Sequence, residues 1–215
     1  MKKRTTGGAL AAALAALLLT ACGGSDDKDS DEIEGAGKES PSTSAEASPS
    51  GSAEAGAPEF DFPSDVTVTI AAKPTGDKVK DAVVRDAGYA NQAIKLALAK
   101  GDPELPVFQD YVIGQASSDW RQSVADFKKK GHTVTGKVEF YDFKVTGVKG
   151  ERATVTYCED QSHAYRKEIA TKKVLKTEVT KNSYTGHADT LQKGPEGNWR
   201  LIDQFYEEGA ATCQR

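Results

Sequence analysis

Hydrophobic residues fall into four patterns along this chain, and each predicts a different element. From Ala9 to Leu19 they form a dense run of Ala and Leu. That run is shorter than the roughly 20 residues a permanent membrane-spanning helix needs. Between 23 and 59 they thin out, with Ile33 the only large aliphatic residue. Val66, Val68 and Ile70 then alternate with Thr67 and Thr69, which is the period of a short strand at a sheet edge or an ordered lead-in. From Asp77 to Gly101 apolar positions recur every third or fourth residue. Val79, Val83, Ala87, Ala90, Ile94 and Ala97 make one stripe of an amphipathic helix. Thr75 or Asp77 can cap its start and Gly101 its end, and Asp102-Pro103 stops it.

Two shorter pieces follow. Val107 to Ile113 reads as a short helix or turn around Phe108, Tyr111 and Val112. From about Ser117 a further helix puts Trp120, Val124 and Phe127 on one face. Lys128-Lys129-Lys130 closes it, read as a solvated terminus suited to the negative end of the helix dipole and not as a binding patch. After Gly131 the period becomes two. Val134, Val138 and Phe140 share one parity and Tyr141, Phe143 and Val145 the other, so a bulge or bend is expected between them. Ala153, Val155 and Tyr157 predict a strand ending at Cys158, and the polar stretch 159–173 a long, ragged connection. Val174 to Leu191 reads as one long half-exposed strand, 193–198 as a turn, and Trp199, Leu201, Asp203 and Phe205 as the alternating face of a last strand. Helices first and hairpin-linked strands afterwards predict an α+β domain. Its helices should cover one face of an antiparallel sheet.

Charge sharpens the domain limits. The 215 residues carry a formal −4, but Lys2, Lys3 and Arg4 stand before Cys22, and 23–62 holds 11 acidic residues against Lys28 and Lys38. The acidity belongs to that one stretch, and 63–215 is close to neutral. Neither part has the concentrated basic face of a nucleic-acid binder, so no nucleic acid is expected as a partner.

The basic start, the Ala/Leu run and Leu19-Thr20-Ala21-Cys22 resemble the signal sequence and lipobox of bacterial lipoproteins. The resemblance implies that 1–21 is removed and that Cys22 carries at least a diacylglyceryl group. Two long chains anchor a protein almost permanently. The expected location is the extracellular face of the cell membrane. Residues 22–63 then form a disordered acidic Ser/Gly/Pro-rich tether, with an end-to-end distance of about 35 Å. It is a spacer in the first instance; a docking tail for a basic partner and O-glycosylation within 40–50 are the other readings. The folded domain is expected over 64–215. In an exported protein, the even pair Cys158 and Cys213 predicts a disulfide that contributes about 4 kcal/mol. A reactive thiol pair or a metal site is the alternative.

The element order, Gly101-Asp102-Pro103, Tyr157-Cys158-Glu159-Asp160 and the late Gly197-Asn198-Trp199-Arg200-Leu201-Ile202 strand together resemble secreted actinobacterial lipoproteins with a nuclear-transport-factor-2-like (cystatin-like) domain. That family packs three helices on a curved antiparallel sheet, often around a cone-shaped cavity. It hosts enzymes, adaptors and assembly modules alike, so fold does not assign chemistry. Enzymes of this fold often use an Asp–His pair as acid and base. The histidines here are His132, His163 and His187, and the candidate cavity residues are Tyr111, Trp120, Asp160, His163, His187 and Asp203. The aromatic residues can equally be plain core. The chain lacks a phosphate loop, a nucleophile elbow, a zinc-protease motif and a calcium loop, and no metal or cofactor is expected. The leading expectation is a non-enzymatic, lipid-anchored binding or interaction module. Its partners would be the membrane, through Cys22, and a small apolar ligand or an envelope protein. A dehydratase- or isomerase-like cavity enzyme and a structural envelope protein are the alternatives.

Overall fold

The computed structural model describes residues 56–215. The expected signal segment, Cys22 and most of the tether lie outside them. Packing begins ahead of residue 64: the half-buried Phe60 stands 6.1 Å from Tyr89 between ring centroids, and Asp61 pairs with Lys100 at 2.8 Å.

Strand β1 (Val66–Ala71) lies at the sheet edge, as its alternation implies, with every second residue facing inward. Helix α1 (Lys78–Lys100) begins where Asp77 accepts the N–H groups of Val79 and Lys80. It ends at Gly101, whose left-handed conformation lets its N–H reach Ala97 O. The predicted stripe is the buried one: Val83, Ala87, Ala90, Ile94 and Ala97 are essentially inaccessible, although Val79 in the first turn is exposed. Helix α2 (Pro106–Tyr111) buries Phe108 completely. Helix α3 (Gly114–Lys129) starts three residues before the expected Ser117. Ile113 donates its N–H to Leu201 O, and this tie to the sheet lets the helix begin at once.

The remaining chain is β2 (His132–Lys149), β3 (Arg152–Glu168), the two-residue β4 (Val174–Leu175), β5 (Tyr184–Lys193) and β6 (Trp199–Glu208). The sheet runs β1-β2-β3-β5-β6, with β4 paired to the end of β3. Only β1–β2 is parallel, because the three helices form the crossover between them, so the sheet is mixed rather than wholly antiparallel. The architecture is the expected α+β one, three helices packed on a curved sheet. The expected bend in β2 is present as register shifts near 137–139 and 141–147.

Three local expectations are corrected. The polar stretch after Cys158 is not a loop, since β3 continues to Glu168, and two of its polar side chains, Glu159 and Gln161, border a polar concavity. Val174–Leu191 is not one strand: β4 is brief, and the chain rejoins the sheet only at Tyr184. In β6 a register shift after Leu201 reverses the alternation. Leu201 faces the core, but past the bulge it is Gln204 that is turned inward, while Asp203 and Phe205 face solvent.

Two clusters fill the space between helices and sheet. One gathers Val83, Phe140, Val155, Tyr157 and Trp199, and the other Ile94, Phe108, Val124 and Leu201. Burying an aliphatic or aromatic side chain of this size contributes roughly 1.5–3 kcal/mol. On the opposite face of the sheet Cys158 and Cys213 are joined, with Tyr141 and Ala210 packed around them.

Candidate functional site

Strand alternation decides which residues meet under the helices. From β3 come Tyr157, Glu159 and Gln161, and from β5 Thr185, His187 and Asp189. From β6, past the bulge, come Gln204, Tyr206 and Glu208. On α1, Asn91 and Lys95 stand one turn apart and so share a face. Tyr157 and His187 are direct cross-strand partners, and their rings stack at 4.9 Å. Phe143 covers the tyrosine ring at 4.8 Å, also stacked.

Two connected polar groupings result. In the first, Glu159 is gripped from both sides. Lys95 Nζ lies 2.6 Å from Oε1, and His187 Nε2 lies 3.0 Å from Oε2. The Glu159 and His187 side chains are almost fully buried. Burial alone raises the Glu159 carboxyl, but the Lys95 charge and the His187 contact outweigh it and hold the group at about 2. Glu159 is therefore an ionised anchor at neutral pH.

The second grouping centres on the Tyr157 hydroxyl. It lies 2.7 Å from Asp189 Oδ2 and 3.0 Å from Asn91 Oδ1, and it accepts from Gln204 Nε2 at 3.0 Å. Gln204 in turn accepts the Trp120 indole N–H at 3.1 Å. A phenol has one proton and cannot donate to both oxygens. Asn91 Nδ2 donates to Ala87 O, which leaves its Oδ1 as the acceptor facing the phenol. Every bond is satisfied when Asp189 carries a proton and donates it to Tyr157. Burial pushes the Asp189 carboxyl up to about 6 against the lowering influence of His187, Tyr157 and Gln204. Burial and the adjacent carboxyl also push the Tyr157 phenol well above its ordinary range. Asp189 Oδ1 and His187 Nδ1 are buried without a hydrogen-bond partner among the described residues.

Above these groups α1 and α3 stand off the sheet and leave a cleft with two lobes. The polar lobe encloses about 450 Å³ over Glu159, His187 and Gln204. The apolar lobe, about 370 Å³, is walled by Val68, Leu98, Phe127 and Val138 among others. Lys95, Trp120, Ser123 and Gln161 border both lobes, so the two adjoin along these four side chains. A larger hollow of about 600 Å³ outside α1 is a different kind of surface. Its wall includes Lys73, Lys78 and Asp81, and Asp81 is already held by Thr75.

Of the residues singled out in the sequence, Trp120 and His187 border this cleft. Tyr111 does not; it packs edge-on to Tyr89 at 5.5 Å, beside residues 196–198. Asp160 and His163 miss it as well. Asp160 has the parity opposite to Glu159 and accepts from Ser162 N–H, and His163 is exposed beside Ser162. Asp203 is excluded by the β6 bulge. Lys95, Glu159, Asp189 and Gln204 were missed. A usable signal existed for Glu159: it continues the Val155-Tyr157 parity, which places it on the core side once the strand is allowed to run past Cys158. Asp189 shows the same inward spacing with His187 and Leu191.

No protein-family model matches the chain, and no curated protein does. Among solved structures the chain is similar to a nuclear-transport-factor-2-like superfamily protein from Salmonella enterica, with 12% identity and a TM-score of 0.41, covering 63% of this chain and 94% of that one. It is similar to a ketosteroid isomerase-like protein from Erwinia carotovora, with 14% identity and a TM-score of 0.36, over 55% of this chain and 90% of that one. It is also similar to the intermembrane-space region of the chloroplast protein ARC6, with 14% identity and a TM-score of 0.42, over 64% of this chain and 99% of that one. At such identities and scores these likenesses carry no argument about chemistry.

Proposed function

We propose that the chain is a lipid-anchored extracytoplasmic binding module whose domain takes up a small amphipathic molecule. The observation that carries the reading is the two-lobed cleft, in which apolar and polar walls meet at Trp120 and Lys95. The apolar lobe suits a hydrocarbon or ring portion, because covering Val68, Leu98, Phe127 and Val138 removes apolar surface from water. The polar lobe suits an uncharged or cationic head. Lys95 is neutralised by Glu159, and Asp119 and Glu208 add negative charge at the border. Among the described residues the polar lobe offers an anionic head no free cation, and Lys137 and Arg166 stand at the border of the apolar lobe instead.

Titration of the chain with an uncharged single-chain amphiphile, followed by tryptophan emission, tests the cleft. Trp199 is buried in the core, so a saturable blue shift that disappears in Trp120→Phe is expected. An unsaturable or unchanged signal would overturn the reading. The anchor is tested separately, by the mass of the mature N-terminal peptide. That peptide should begin at Cys22 with a diacylglyceryl adduct, and an unmodified Cys22 would refute anchoring. No helix among the described residues is long and apolar enough to cross a membrane.

A cavity enzyme of isomerase or dehydratase type is the second reading, favoured by the 3.0 Å contact of His187 with Glu159 beside the cleft. The charge balance argues against a proton relay through that pair. Glu159 stays ionised under the grip of Lys95, so its role is to orient His187 rather than to exchange protons.

A further inference from the structure

The C-terminal ends of α1 and α3 meet the paired ends of β2, β3 and β4 at one end of the fold. Thr133 Oγ1 donates to Ala99 O at 2.8 Å, and Ile169 N–H donates to Gly131 O at 2.8 Å. Cations that are far apart in sequence therefore gather there. Helix α3 contributes Lys128, Lys129 and Lys130, all exposed. The β3–β4 hairpin contributes Arg166, Lys172 and Lys173, with Lys176 just beyond, again all exposed. None of them is held in an ion pair among the described residues. The carboxylates on these same segments are Asp126 and Glu168, with Asp102 beside the end of α1; Asp61 and Asp65 are already paired with Lys100 and Lys167.

A second observation is independent of charge. Ile169 and Val174 are each 39% exposed and flank the hairpin lysines Lys172 and Lys173; Val179, 54% exposed, lies in the connection that follows β4. The other large hydrophobic residues left exposed among those described are Val79, Val148, Phe205 and Tyr206, which lie in other elements.

We propose that the β3–β4 hairpin and the end of α3 form a docking face for an anionic lipid surface. The ammonium groups meet lipid phosphates, and the aliphatic side chains enter the boundary between headgroups and acyl chains. A soluble polyanion would engage the cations and leave the aliphatic residues in water, so the two features together favour a bilayer. The inference rests on the lipid-anchored reading, because a chain held at Cys22 keeps this face close to a membrane. Docking would hold the domain in one orientation above the bilayer.

The test uses the full mature polypeptide with Cys22→Ser, made without lipid, so that binding reports this face and not the anchor. It should co-sediment with vesicles of phosphatidylcholine containing about a third phosphatidylglycerol, and not with phosphatidylcholine alone. Binding should fall steeply towards about 0.5 M salt. Each lysine near such a surface changes affinity roughly five-fold, so Lys172→Glu with Lys173→Glu should weaken binding by at least about 25-fold. The charge-matched pair Lys149→Glu with Arg152→Glu, in the turn at the opposite end of the β2–β3 hairpin, should leave it nearly unchanged. Ile169→Ser with Val174→Ser should weaken it without altering its salt dependence. Equal loss in both charge-reversed variants, or binding to heparin with none to vesicles, would overturn the proposal. Failure here with a lipidated Cys22 leaves the anchor intact, and success here with an unmodified Cys22 refutes the anchor alone.

Discussion

Lys95 and His187 share one carboxylate, and that arrangement makes Glu159 a liability whenever a partner is removed. Lys95→Met would leave a nearly buried anion held by His187 alone, and it should cost about 3 kcal/mol in urea unfolding at pH 7. Lys95→Met with Glu159→Gln should recover much of that loss, because the uncompensated charge is gone. The pH dependence has two parts of opposite sign. Glu159 is held at about 2, below its ordinary 4.5. Its contribution is complete above about 4.5 and disappears as pH falls through 2. Asp189 is raised from 3.8 to about 6. Its contribution is complete below about 3.8 and is lost as pH rises through 6. Asp189→Asn keeps a donor for Tyr157 and removes the buried charge. It should therefore raise the melting temperature at pH 7.5, by an amount worth about 2 kcal/mol, and leave it nearly unchanged at pH 4. Equal melting shifts at both pH values would mean that Asp189 is not the titrating group.

At the scale of elements, two devices aim the site. The bend in β2 begins at Gly136, whose φ of 97° and closeness to β3 admit no side chain: a Cβ would stand 2.1 Å from His163 O. Gly136→Ala should cost about 3 kcal/mol or more, read by denaturant unfolding, since backbone and not a flexible side chain must move. The β6 bulge is the second device, exchanging Asp203 for Gln204 under Trp120. On the outer face, the Cys158–Cys213 link fastens the last residues to β3. Replacing both cysteines with Ala should cost about 4 kcal/mol while leaving the cleft residues in place. These elements also show how far the sequence was legible. The stripe of α1 and its caps were clear, because 23 residues repeat one period between Asp77 and Gly101. Most strands were visible by alternation. Alternation counts residues, however, and a bulge inserts one, so Asp203 was placed inside and Gln204 outside. Glu159, Asp189 and Lys95 escaped for a different reason. Polar residues read as surface until a fold pairs them, and the partners lie far apart in sequence: Lys95 is 64 residues from Glu159. Only the assembled sheet brings such groups together.

For the whole molecule, the cleft and the basic end adjoin at Arg166, which borders the apolar lobe, and they suit one setting. In the proposed reading the cleft would take up an amphipathic molecule, and the docking face would turn the domain towards a membrane that could supply it. The most direct test of the binding reading is native mass spectrometry of the chain purified from its own host under mild conditions. The spectrum should show a discrete mass increment of a small amphipathic molecule, released on denaturation. Ser123 borders both lobes, and Ser123→Trp should fill the boundary between them and abolish the increment while the protein stays folded. A wild-type chain carrying no adduct, or an adduct that persists in Ser123→Trp, would contradict the account.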